Sequence, residues 1–152
     1  MNRRRVLLGA GALLLVAGGF AATDGRNLFY AALSEGVDTQ IDVTTAHDQA
    51  SAGEILLIDI RRPDEWAATG SPAPGHRLDM RREDFAEALL ALTGGATDAP
   101  VALICARGVR SSRLTNRLTE AGFTNIIDVP EGMLGSGAGP GWIHEGLPVD
   151  RS

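Results

Sequence analysis

Val101-Ala102-Leu103-Ile104-Cys105-Ala106-Arg107-Gly108-Val109-Arg110 is the stretch on which the reading of this chain turns. Its first four residues form a continuous apolar run of strand length, the pattern of a strand covered on both faces. From Ser111 to Ala121 the residues Leu114, Leu118 and Ala121 recur at helical spacing, and Gly122 closes the run. Between strand and helix lies a short loop that holds the chain's one cysteine.

The same alternation continues outward. Ile55 to Ile60 is a second buried strand and Asn125 to Val129 a third. Pro63-Asp64-Glu65 opens a short helix through Ala68, with proline at a first helical position and acids in the first turn. Glu83 to Leu92 reads as an amphipathic helix with Phe85, Ala88, Leu89 and Leu92 inward, stopped by Gly94-Gly95. Further upstream, Asp42-Val43 suits a short strand. Thr44 or Thr45 would then cap a helix through Ala52, which Gly53 ends. Gly70 to Gly75 is a loop, and Trp142-Ile143 with Leu147-Pro148-Val149 closes the domain. Strands alternating with helices predict an α/β fold: a parallel sheet flanked by helices on both faces. Trp66 and Trp142 are expected in the core. Gly135 to Gly141 does not link a strand to a long helix, so it reads as a tightly turned or flexible loop, not a nucleotide cradle.

At 152 residues the chain suits a single domain that builds its own core. Arg3-Arg4-Arg5 precedes an uncharged apolar run from Val6 to Ala22, the form of an export signal, and Asn2 to Leu7 resembles a twin-arginine motif. The run is also near the shortest length that spans a bilayer, so residues 6–22 read either as a cleaved signal or as a membrane anchor. The expected organisation is an export segment over 1–22, a linker over 23–40 and a folded domain over 41–150, placed in the periplasm. The net charge is −5, there is no lysine, and residues 1–22 carry arginines without acids, so the folded part is more acidic still. Such a domain does not attract nucleic acid through its bulk field; any anion must be held by local groups.

Cys105 has those local groups. Ligands in such sheets bind beyond the carboxyl ends of the strands. The first turn of the following helix offers unpaired N–H groups, which a loop can aim at one point. Gly108 permits backbone angles closed to other residues, and Arg107 and Arg110 add permanent cations. A helix N-terminus and adjacent arginines favour a thiolate. The same field attracts an anionic sulfur donor and holds a persulfide. His47, His76 and His144 lack metal-ligand spacing, so no metal and no cofactor is expected.

Cys105 to Arg110 counts six residues and resembles the active loop of the rhodanese family, in which six residues curl around a cysteine sulfur. Related phosphatases use one residue more, and their arginine would fall at Ser111. The resemblance extends to Leu57-Ile58-Asp59-Ile60-Arg61 with Asp64-Glu65-Trp66. It continues in Ala121-Gly122-Phe123-Thr124-Asn125, Glu131-Gly132-Met133, Gly141-Trp142 and Gly146-Leu147-Pro148-Val149, so it covers roughly residues 41–150. Ser71, after Gly70, departs from the family pattern. The resemblance implies a sulfurtransferase in which Cys105 takes a sulfane sulfur from a donor such as thiosulfate and passes it to a thiol or cyanide. Ala106, Arg107, Gly108, Val109 and Arg110 would bind the substrate, with Arg110 alternatively bracing the loop against an acid. Asp59, Arg61 and Glu65 would form an ion-pair group beneath the site, with Ser111 in support. The alternatives are a rhodanese-like module that holds or senses sulfur without turnover, and an arsenate reductase or phosphatase on the same scaffold.

Overall fold

The computed structural model describes residues 39–152. The export segment and all but the last two residues of the linker lie outside them. Among the described residues no helix is long and apolar enough to cross a membrane.

The elements run α1 (Val43–Ser51), β1 (Leu56–Asp59), α2 (Pro63–Thr69), β2 (Ser71–Pro72), β3 (His76–Arg77), α3 (Phe85–Leu92), β4 (Val101–Ile104), α4 (Val109–Glu120), β5 (Ile126–Val129) and β6 (Val149–Asp150). Four strands form one parallel sheet in the order β3-β1-β4-β5. Leu57, Ile58 and all of β4 are buried, because helices cover both faces and no side of these strands meets water. On one face, α3 and α4 bury Phe85, Leu89, Leu114 and Leu118 against Ile58, Ile60, Leu103 and Ile126. On the other, α1 packs Val43 and Ala46 with Leu57, Ile104, Ile127, Val129, Met133 and Trp142. The expected architecture is therefore the observed one.

Several details differ from the sequence reading. Asp42 is not in a strand; it is the N-cap of α1 and accepts from the Thr45 amide at 2.8 Å. The extended contact falls two residues earlier, where Gln40 bridges Asp128. The loop after Gly70 contains β2, which pairs antiparallel with β6, so two chain-distant dipeptides close the domain edge. Leu92 and Ala121 are exposed, because each lies at its helix end, past the point where the sheet supports it. Trp142 is fully buried, with its Nε1–H donating to Pro148 O at 2.9 Å, whereas Trp66 is only half-buried.

The strand order fixes where a site can form. After β1 the chain leaves towards β3, and after β4 it leaves towards β5. The two exits diverge, which opens a crevice beyond the carboxyl ends of the neighbouring strands β1 and β4. Asp59 to Glu65 leave from one lip and Cys105 to Arg110 from the other.

Candidate active site around Cys105

Cys105 directly follows β4 and is almost wholly buried. Its sulfur nevertheless faces polar groups. The Gly108 amide donates to Sγ at 3.2 Å, and the Ser111 hydroxyl lies 3.6 Å from it. Above the sulfur is a pocket of about 320 Å³ lined by Cys105, Ala106, Arg107, Val109 and Arg110. The thiol thus lines the floor of a small pocket.

Gly108 makes this turn. It sits at φ 83° as the N-cap of α4, and its carbonyl accepts from the Ser112 amide at 3.0 Å, which begins the helix. The helix therefore starts at Val109, two residues before the expected Ser111, and Val109 and Arg110 belong to its first turn. A side chain at position 108 has no room: a Cβ there would lie 2.2 Å from Pro130 O. The segment after β5 closes on the loop from that side. Met133 and Leu134 amides donate to the carbonyls of Cys105 and Ala106, each at 2.9 Å. A Cβ at Gly132, φ 67°, would come within 2.6 Å of the Ala106 carbonyl.

The two arginines divide their roles. Arg110 meets Glu65 in a bidentate pair, Nη1 to Oε2 at 2.7 Å and Nη2 to Oε1 at 2.6 Å. That pairing holds the Glu65 carboxyl down at about 2 and raises Arg110 above its ordinary range. Glu65 also accepts from the Arg62 amide at 3.0 Å, so one carboxylate caps α2 and braces the cysteine loop. Of the two roles expected for Arg110, bracing is the one the geometry displays. Arg107 also lines the pocket, and its Nη1 donates to Gly135 O at 3.1 Å, which ties the loop to the glycine-rich turn. That turn is tight: Ser136 N donates to Gly139 O, and Ser136 Oγ to Pro130 O at 2.8 Å.

Asp59, Arg61 and Glu65 divide between two hydrogen-bonded pairs, with the charge of Arg61 also acting on Glu65. Asp59 and Arg61 make a buried pair at 2.7 Å, apart from the Glu65–Arg110 pair. Arg61 also donates to Thr69 Oγ1 at 2.8 Å and Gly70 O at 2.7 Å, and Ser71 Oγ donates to Asp59 Oδ2 at 2.8 Å. A buried ion pair is tolerable when its remaining donors and lone pairs are met in this way. The pair fastens α2 to the end of β1 and so carries Glu65 to Arg110. Ser71, unmarked in the sequence except as a departure, is part of that fastening. No histidine lines the pocket at Cys105; His76 lies exposed on β3, and His47 meets the Trp142 ring edge-on at 5.7 Å between centroids.

One acid near the site escaped the sequence reading. Asp128 lies on β5 opposite Leu103, fully buried, with neither carboxylate oxygen hydrogen-bonded. Burial pushes its carboxyl up to about 7; the Ser111 hydroxyl eases it down and the like charge of Glu131 pushes it further up. The signal was present in the sequence: an acid inside Ile126-Ile127-Asp128-Val129 occupies a strand with no wet face.

Residues 42–135 match the Rhodanese-like domain family. Thiosulfate sulfurtransferase 16 of Arabidopsis thaliana is 30% identical over 121 residues, covering 74% of this chain and 93% of its own. Among solved structures, the polysulfide-sulfur transferase homodimer from Wolinella succinogenes is 28% identical. It superposes with a TM-score of 0.60 over 82% of this chain and 85% of that one. A rhodanese-related protein from Thermoplasma volcanium is 26% identical, with a TM-score of 0.53 over 75% and 99% of the two chains.

Proposed function

The chain belongs to the rhodanese-like domain family, and on that premise we propose that it moves a sulfane sulfur from a small anionic donor, such as thiosulfate, to a thiol acceptor through a persulfide on Cys105. The observation that carries this reading is the Gly108 N–H aimed at Sγ from 3.2 Å on the floor of a small pocket. An amide so placed stabilises negative charge on sulfur without any rearrangement at the moment of reaction. The thiolate attacks the outer sulfur of thiosulfate; the S–S bond of the donor breaks and sulfite leaves with the electron pair. An acceptor thiolate then attacks the outer persulfide sulfur, and Cys105 leaves as thiolate. Arg107 lines the pocket and the first turn of α4 points its N-terminus at it, while Arg110 is held in its pair with Glu65. The names of the Arabidopsis and Wolinella relatives support sulfur transfer as the chemistry. The basic and apolar start of the chain supports an exported site of action.

Purified protein incubated with thiosulfate and weighed intact should gain one sulfur atom, and Cys105→Ser should gain none. Absence of an adduct, together with no thiocyanate on adding cyanide, would refute the proposal. A second reading, storage of sulfur without turnover, draws support from the near-complete burial of Cys105. It predicts an adduct that no tested acceptor removes.

A further inference from the structure

The glycine-rich stretch from Gly135 to Gly141 folds back on itself. Ser136 N donates to Gly139 O at 3.0 Å. The backbones of Gly135 and Gly141 meet so closely that a Cβ at position 141 would lie 2.1 Å from Gly135 N. Ser136 stands inside this turn and is buried, 4% exposed. Its hydroxyl is used twice: Oγ donates to Pro130 O at 2.8 Å and accepts from the Ala138 amide at 3.1 Å. Pro130 is also the residue whose backbone walls Gly108 in the cysteine loop. Ser136 therefore fastens the turn to the segment that packs on that loop. On the other side of Gly135, the Leu134 amide donates to Ala106 O at 2.9 Å. The Gly135 carbonyl is thus fixed through both of its neighbours, and it accepts from Arg107 Nη1 at 3.1 Å. Arg107 in turn lines the pocket at Cys105.

We propose that Ser136 is a positioning residue for the anionic donor: through the Gly135 carbonyl it holds Arg107 at the pocket wall, so that the pocket selects small anions over neutral molecules of the same size. An arginine side chain is long and has many rotamers, and a fixed acceptor at its tip selects one of them. A carbonyl can do this without cancelling the charge, whereas the carboxylate of Glu65 matches that of Arg110. One arginine braces the loop and the other, held by a neutral group, keeps its charge for the incoming anion. The selection of a sulfur donor rests on the sulfur-transfer reading; the preference for anions at Cys105 does not.

The test therefore uses alkylation, which needs no sulfur. Iodoacetate and iodoacetamide are similar in size and differ in charge, and both consume the Cys105 thiolate. The ratio of their rates, followed by intact mass at one pH, cancels thiolate population and access and leaves the anion preference. Arg107→Gln should lower the ratio about 3- to 10-fold at low ionic strength. Ser136→Ala should lower it about 2- to 5-fold, and should lower it no further in the Arg107→Gln background, because the two residues act as one device. A ratio that is unchanged or raised in Ser136→Ala, or an equal fall in both backgrounds, would overturn the proposal while leaving persulfide formation intact. If Ser136→Ala does not fold, Ser136→Thr and Ser136→Val replace it. They are alike in shape and differ in the hydroxyl, so threonine should keep the ratio and valine lose it; equal ratios would refute the role. In sulfur transfer, Ser136→Ala should raise KM for thiosulfate about 2- to 5-fold with kcat within about twofold of wild type. A fall in kcat at unchanged KM would mark Ser136 as structural only and refute the positioning role.

Discussion

Gly108→Ala puts the cysteine cradle under direct test. The position combines two constraints. At φ 83° the backbone is left-handed, which costs a residue with a side chain about 1–2 kcal/mol. The new methyl would also lie 2.2 Å from Pro130 O and 3.2 Å from Pro130 Cα. Both atoms are backbone, so no rotamer change relieves the overlap, and pushing the loop off the 130–134 segment costs roughly a further 1–3 kcal/mol. The expected loss is about 2–5 kcal/mol, which for a domain of this size lowers Tm by roughly 10 °C or more. The displaced loop also carries the Gly108 amide away from Sγ. Losing one such donor lowers the rate of persulfide formation by about 10²–10³-fold. Thermal melts give the first quantity. Single-turnover mass spectrometry with thiosulfate, run well below the lowered Tm, gives the second. A variant that melts within a degree of wild type and loads sulfur at the wild-type rate would refute the reasoning, since neither the contact with Pro130 nor the amide would then matter.

Glu65→Gln removes the bidentate partner of Arg110; the pair is part-exposed, so the loss in urea unfolding at neutral pH should be about 1–2 kcal/mol. Because the Glu65 carboxyl is depressed from 4.5 to about 2, the wild-type advantage should be complete above about pH 4.5 and vanish as the pH falls towards 2. Asp128 acts in the opposite sense. Its carboxyl rises from 3.8 to about 7 on folding, so its destabilising effect is absent below pH 3.8, grows with pH and is complete above pH 7. Asp128→Asn should accordingly unfold at higher urea than wild type at pH 8, with the difference disappearing near pH 4. Trp142→Ala empties a fully buried site and orphans Pro148 O, which predicts a loss of about 3–5 kcal/mol by denaturant titration.

What could be read from the sequence follows a physical division. The strands Leu56–Asp59, Val101–Ile104 and Ile126–Val129 were legible because a doubly covered strand must be continuously apolar. The cysteine loop was legible because glycine and two arginines beside a thiol have no use in a core. Contacts between distant segments were not. Thr44, Thr45 and Asp42 all qualify as caps, and only the path of the chain from Gln40 selects Asp42. The pairing of Ser71-Pro72 with Val149-Asp150 involves too few residues to leave a pattern. The roles of Glu65 and Arg61 looked joint because they are neighbours in sequence; the fold turns them to different partners, Arg110 and Asp59.

The cysteine loop owes its shape to residues outside it. Inside Cys105–Arg110, only Gly108 has a backbone angle that sequence alone could demand. The remaining constraints arrive from elsewhere: Glu65 from α2 grips Arg110, Met133 and Leu134 hold the first two loop carbonyls, and Gly135 accepts from Arg107. The grips come from both sides of the crevice at the end of β4, so tightening one cannot replace losing another. A rigid cradle around a weakly exposed sulfur suits a reaction in which a single atom is added and removed. The pocket then has to admit only the tip of the donor, and the charge that develops there meets an amide already in place.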